Sequence, residues 1–350
     1  MRVVRFLALF VVLTAPAFAQ PPAAAPPPPC NPAGDGKVRF ICGQQAPEDL
    51  VVIPGGDWVL ASIFAGAGGI RLISAKDTAS TIVYPAATSK DRLDSKTYDS
   101  CPGAPDAAEK SKFATHGLAI RPGRNSVHTL YAVHHGGRES VEVFEVDARG
   151  KTPALTWIGC AVAMDPIGLN SVLPLPDGGF IATNFLARSN DPSGRTKMMA
   201  GENNGELWEW HTGKGWKKVP GSEAAGANGL EISKDGKWLY VAAWGSQSFF
   251  RLSLGQTPPK RDVIPLGFRV DNIRWAPDGK IYAAGQGGVA PMQTSNIVKI
   301  DPNTLKVQEI IRQPNTPEFG SGTVAVEVGK EIWVGSFRGD RIARFPIPQK

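Results

Sequence analysis

Short apolar–polar alternations, closed by turns rich in Gly, Pro and Asp, recur throughout the chain, and helical periodicity is scarce. Six segments share one layout rather than one sequence. They read EDLVVIPGGDWVL from Glu48, HGLAIRPG from His116 and NSVLPLPDGGFIA from Asn170. The others are NGLEISKDGKWLYV from Asn228, DNIRWAPDGKIYA from Asp271 and GTVAVEVGKEIWV from Gly322. An apolar residue stands two places after the first in each: Leu50, Leu118, Val172, Leu230, Ile273 and Val324. Four places further on a turn is reached, and a second strand begins. Successive segments start roughly 43 to 68 residues apart, the length of a four-stranded blade with its loops. The pattern predicts an all-β fold, a six-bladed β-propeller. A β-sandwich or a two-domain β protein is the structural alternative.

The amino end departs from this pattern. Met1–Ala19 joins a basic start (Arg2, Arg5) to an apolar run from Phe6 to Leu13 and ends in Ala17-Phe18-Ala19. That is the layout of a cleavable secretory signal, so 1–19 is read as one. The run is too short to span a bilayer, and no other stretch reaches that length. An exported protein, periplasmic or secreted, with no transmembrane segment in its mature form is expected. Residues 20–36 follow as a Pro/Ala-rich linker whose QPPAAAPPPP stretch cannot bury a core. Residues 37–350 form the propeller domain. Removing Arg2 and Arg5 takes the formal charge from +6 to about +4. The Lys and Arg residues are interspersed with acidic ones, so no nucleic acid partner is expected. Cys30, Cys42, Cys101 and Cys160 are an even set in an exported chain, which suggests disulfides. Of the three possible pairings, Cys101–Cys160 with Cys30–Cys42 is preferred, although the sequence does not decide it.

If each segment opens a blade, its first strand lines the central channel. The residue just before that strand then sits at the channel mouth in every blade. Those residues are Glu48, His116, Asn170, Asn228, Asp271 and Gly322, with Asp49 and Asn272 immediately behind. Glu48, Asn170, Asn228, Asp271 and Asn272 bring two carboxylates and three amide carbonyls from four blades. Such an oxygen cage suits calcium better than zinc, which favours His and Cys, or magnesium, which keeps its waters. Taken singly, Asn228-Gly229 reads as a tight turn and Asn170 or Asp271-Asn272 as loop caps. Independent turn residues need not share one phase, however, and these do. His116 holds the same register, and His134 and His135 end the next strand, which returns close to it. A His–His pair there could relay a proton or merely hydrogen-bond within a polar channel. No G-x-S-x-G elbow, Walker A loop or H-E-x-x-H motif is present.

At these residues the chain resembles the paraoxonase/arylesterase group within the SMP-30/gluconolactonase-like and strictosidine-synthase-like propellers. The motifs are PEDL at Pro47, HGL at His116, VHHGGRESVEVF from Val133, LNSV at Leu169, ANGL at Ala227 and VDNI at Val270. The resemblance runs from Cys42 to Pro346. It implies calcium-dependent hydrolysis of a small-molecule lactone or aryl ester, with Glu48, Asn170, Asn228, Asp271 and Asn272 holding the ion. It places the histidine dyad on His116 and, counting back from SVEVF, on His135 rather than His134. A second, structural calcium of that family is matched by Asp49 and the backbone carbonyl of Leu118, with Ser171 in place of a third, acidic ligand. A further active-site histidine of the family falls on Gln286. Two alternatives remain: a non-catalytic exported propeller whose calcium ties the blades together, and a gluconolactonase-type sugar lactonase.

Overall fold

Each of the six alternating segments is realised as the inner two strands of an antiparallel sheet. The structure is a computed structural model that describes residues 28–188 and 192–348. The expected signal segment 1–19 and the start of the linker lie outside the described residues. Blade one contains Leu50–Val52, Trp58–Ile63, Gly69–Ser74 and Ser80–Tyr84. Blade two runs from Ala114–Arg121 through Val127–His135 and Ser140–Asp147 to Ala154–Val162, where the short strand Lys90–Asp91 adds in parallel. Blades three, four and five begin with Leu169–Pro174, Ala227–Ile232 and Arg269–Trp275.

Blade six closes the ring. Its strands Gly322–Val328, Glu331–Ser336 and Arg341–Pro346 are completed by Arg39–Cys42 from the other end of the chain, which pairs with the last strand from Arg39↔Arg344 to Cys42↔Arg341. The six innermost strands touch their neighbours in one unbroken ring. Apolar side chains fill the spaces between sheets, among them the fully buried Trp157, Trp210 and Trp333. Two short helices among the described residues, Ala107–Lys110 and Pro192–Met199, sit in loops between strands. Among the described residues, no helix is long and apolar enough to cross a membrane.

One expectation is corrected here. The register residues do not precede the inner strands in blades two to six but lie within them. Each of those strands is interrupted there by an irregularity, between Thr115 and Leu118, Leu169 and Val172, Ala227 and Leu230, Val270 and Ile273, and Gly322 and Val324. A bulge at a strand end bends the backbone and re-aims the side chains it carries, so blades two to five turn their polar residues toward the axis by one device, and blade six carries the same irregularity at Gly322. The sequence marks it in the glycines that follow His116 and Asn228. A Cβ on Gly117 would lie 2.4 Å from the Asn170 carbonyl oxygen, and one on Gly229 would lie 2.6 Å from the Asn272 Cα. Neighbouring inner strands approach too closely for a side chain at either position.

Both disulfides pair as preferred, Cys30–Cys42 and Cys101–Cys160, the chemistry of an oxidising compartment. The first ties residues before the closing strand to its end. The second fastens the long excursion after Lys90–Asp91 to the outer strand of blade two. The Cys101–Cys160 bridge spans 59 residues and Cys30–Cys42 spans 12. Loop-closure entropy then gives about 4 kcal/mol and about 3 kcal/mol respectively. Replacing Cys101 and Cys160 together by serine should therefore lower the urea midpoint more than replacing Cys30 and Cys42; equal or reversed effects would contradict this account.

Candidate metal centre

Four of the oxygen-bearing residues come from bulged strand ends and Glu48 from the residues just before the inner strand of blade one, and all five meet in one buried cluster at the axis. Glu48, Asn170, Asn228, Asp271 and Asn272 are each nearly inaccessible to solvent. Side-chain contacts run from blade to blade around it. Asn272 Nδ2 donates to Glu48 Oε1 at 2.8 Å, and the Asn228 side chain hydrogen-bonds Asp271. Gln286 Nε2 donates to Asp271 Oδ2 and to the Gly322 carbonyl, each at 2.8 Å, while Thr323 Oγ1 donates to the Glu48 carbonyl at 2.6 Å. The asparagine amide nitrogens are thus engaged with their neighbours, and the asparagine oxygens are not. Glu48 Oε2, Asn170 Oδ1, Asn228 Oδ1 and Asn272 Oδ1 are all buried and without a hydrogen-bond partner.

Buried oxygens without donors are costly, and native interiors seldom leave several together. A hard cation satisfies all of them at once, since each offers a lone pair and none can supply a proton while the carboxylates are ionised. Electrostatics point the same way. Burial, reinforced by the charges of Asp271 and Asp49, holds the Glu48 carboxyl well above the usual carboxylate range. Burial also pushes the Asp271 carboxyl up to about 7. A cation beside them would reverse both shifts, because it favours the ionised form. Among the described residues, no group of three or more His, Cys, Asp or Glu gathers as a metal-holding cluster. A site here depends on its amide oxygens, which suits calcium.

His116 flanks the cluster, with Nε2 at 3.3 Å from Asn170 Nδ2 and 3.7 Å from Glu48 Oε1. Its Nδ1 lies 3.0 Å from His135 Nε2. His135 Nδ1 in turn lies 2.8 Å from Glu139 Oε2, and the other oxygen of Glu139 accepts the Leu169 N–H at 2.6 Å. This chain orders the protons. A carboxylate accepts the His135 Nδ1 hydrogen, so His135 Nε2 accepts from His116 Nδ1, and the His116 Nε2 lone pair faces the oxygen cluster, where the Asn170 amide donates to it. Burial, with the nearby His135, keeps the His116 imidazole well below its ordinary pKa and therefore neutral. Phe64 covers the pair, its ring centroid 4.4 Å from that of His116.

His134 is not part of this chain. It is fully buried, stacked on Phe113 at 4.2 Å, with Nδ1 at 3.4 Å from Ser140 Oγ. His128 lies buried in the strand Val127–His135, where its Nδ1 accepts the Gly123 N–H at 3.0 Å. Gln286 accepts from Trp244 Nε1 at 2.9 Å and so links an aromatic side chain to the Asp271 carboxylate.

Asp49 and Leu118 lie behind the cluster. The Arg274 guanidinium donates to Asp49 Oδ2 and, at 2.8 Å, to the Leu118 carbonyl. Ser171 Oγ is buried without a partner. Sequence reasoning missed two residues in this neighbourhood, Glu139 and Arg274. Glu139 had a local signal, a carboxylate four places after His135 across the GGRES turn; Arg274 had none.

No protein-family model matches the chain, and no characterised protein matches it in sequence. Solved structures do match in fold. A candidate gluconolactonase is 13% identical with a TM-score of 0.53, covering 89% of this chain and 94% of that one. A calcium-binding protein, regucalcin from Agrobacterium tumefaciens, is 12% identical with a TM-score of 0.52, covering 88% and 92%. The PQQ-bound aldose sugar dehydrogenase of Streptomyces coelicolor is 16% identical with a TM-score of 0.54, covering 89% and 98%. Three proteins described in such different terms share this architecture, so the likeness establishes a six-bladed β-propeller and leaves its chemistry to the residues of the channel.

Proposed function

We propose that this chain is an exported, calcium-dependent hydrolase of lactones or aryl esters. The observation that carries the reading is the meeting of two structures. Four unpartnered buried oxygens stand beside an imidazole whose Nε2 lone pair faces them, engaged by the Asn170 amide at 3.3 Å, and whose other nitrogen is backed by a second imidazole and a carboxylate. Glu48, Asn170, Asn228, Asp271 and Asn272 would hold the ion. When bound, calcium supplies Lewis-acid polarisation of a substrate carbonyl.

The protein's own residues manage the proton. His116 Nε2 accepts one from the attacking water, and its Nδ1 hydrogen can pass to His135 Nε2 along the 3.0 Å contact. Glu139, fixed by the Leu169 N–H, stabilises the imidazolium that results. Phe64 shields one face of the pair from bulk water. A purely structural ion would need the oxygen donors but has no use for the His116–His135–Glu139 chain, which favours catalysis over a binding platform. The likeness to a candidate gluconolactonase keeps a sugar lactone among the substrates to test.

The purified mature protein should be assayed against sugar lactones, aliphatic lactones and aryl esters. Hydrolysis of at least one class is expected, lost on chelation and restored by added calcium. Turnover indifferent to chelator, or none from calcium-loaded protein, would remove the catalytic reading.

A further inference from the structure

Arg274 leaves blade five and crosses behind the oxygen cluster to blades one and two. Its Nη2 donates to Asp49 Oδ2 and, at 2.8 Å, to the Leu118 carbonyl. Its Nε donates to the Leu50 carbonyl at 3.3 Å, and its Nη1 to the Ile273 carbonyl at 2.8 Å. One carboxylate and three main-chain carbonyls therefore surround a side chain that is only 11% exposed. Asp49 is wholly buried and otherwise accepts only main-chain hydrogens, from Leu50 and Leu118. On its far side Arg274 lines a cavity of about 700 Å³ at the opposite end of the channel, so the guanidinium divides the two ends.

We infer that Arg274 is a built-in cation that occupies a metal-like oxygen cage and limits the channel to a single divalent ion. The inference rests on the proposed ion in the upper cluster. Three carboxylates, those of Glu48, Asp49 and Asp271, are buried along this stretch of the axis. A divalent ion balances Glu48 and Asp271, and the guanidinium balances Asp49 while also facing the half-buried Glu231 at the edge of the lower cavity. A buried carboxylate deprived of its partner is strongly destabilising, so removing Arg274 leaves Asp49 and the Leu118, Leu50 and Ile273 carbonyls as an oxygen site open to a cation. Guanidinium and calcium would compete for one place.

Calcium per chain, measured by elemental analysis after stripping and equilibrium dialysis against millimolar calcium, tests this through an increment. Arg274→Gln should hold one ion more than the wild type, and its melting temperature should rise with calcium far more steeply. The double variant Arg274→Gln, Asp49→Asn should fold without that extra ion. A folded Arg274→Gln protein with no added ion would overturn the inference, as would its failure to fold even in millimolar calcium, or an extra ion in the double variant. The wild-type count tests the upper site separately. One ion agrees with the proposed function, and none would remove it while leaving the increment readable.

Discussion

Asp271→Ala and Asn228→Ala are each expected to abolish calcium binding and ester hydrolysis together. Both residues lie at bulged strand ends in adjacent blades and hydrogen-bond one another. Losing either removes an oxygen donor and unfastens its neighbour, so the cluster loses more than one ligand's share. The polarisation that a bound ion gives a carbonyl is worth several kcal/mol, and a fall of about 10³-fold or more in kcat/KM is expected. Calorimetry with calcium and hydrolysis assays on the same preparation check the coupling. Loss of turnover with calcium binding intact would mean that the ion is held elsewhere. Circular dichroism should show the β-propeller largely retained in both variants, since the apolar packing between blades does not involve these side chains.

His116→Gln should behave in the opposite manner, sparing calcium affinity while lowering kcat by about 10²- to 10⁴-fold, the usual contribution of a positioned general base. Glutamine can keep a donor toward His135 but has no basic nitrogen to face the oxygen cluster. The lone pair on His116 Nε2 exists because Glu139 and His135 hold the other protons in place. The pH dependence of the residual rate should therefore change as well, with the ionisation assigned to the free base absent from the profile. Unchanged hydrolysis in this variant would eliminate the base role for His116 and with it the meaning given to the His135–Glu139 extension.

The number of blades and the residues that gather at the axis were both legible in one periodicity. Alternation and turns repeat because every inner strand faces the same two environments, a sheet on one side and the channel on the other. The residue that opens each repeat therefore recurs at one height. The resemblance put His135 rather than His134 beside His116, and side-chain alternation gives the physical reason: neighbours on a strand point to opposite faces, one into the channel and one into the apolar layer against Phe113.

Other features left a faint one-dimensional trace or none. The bulges that aim the donors depend on how closely two inner strands pack, and are hinted at only by Gly117 and Gly229. Glu139 acts through a strand of the next blade, by way of the Leu169 N–H. Arg274 sits in DNIRWAPDG, where it reads as a solvent-facing residue, yet it partners a carboxylate 225 positions away.

Local alternation of apolar and polar residues was thus enough to specify a six-bladed β-propeller, its cysteine chemistry and a ring of oxygen donors, because those follow from short-range periodicity and side-chain type. Which oxygens stand unpartnered, which histidine lone pair faces them and which cation sits beneath them were decided by closure of the ring. Closure joins residues at opposite ends of the chain and removes water from between them, and only there does an unmade hydrogen bond or an unpaired charge acquire a large cost.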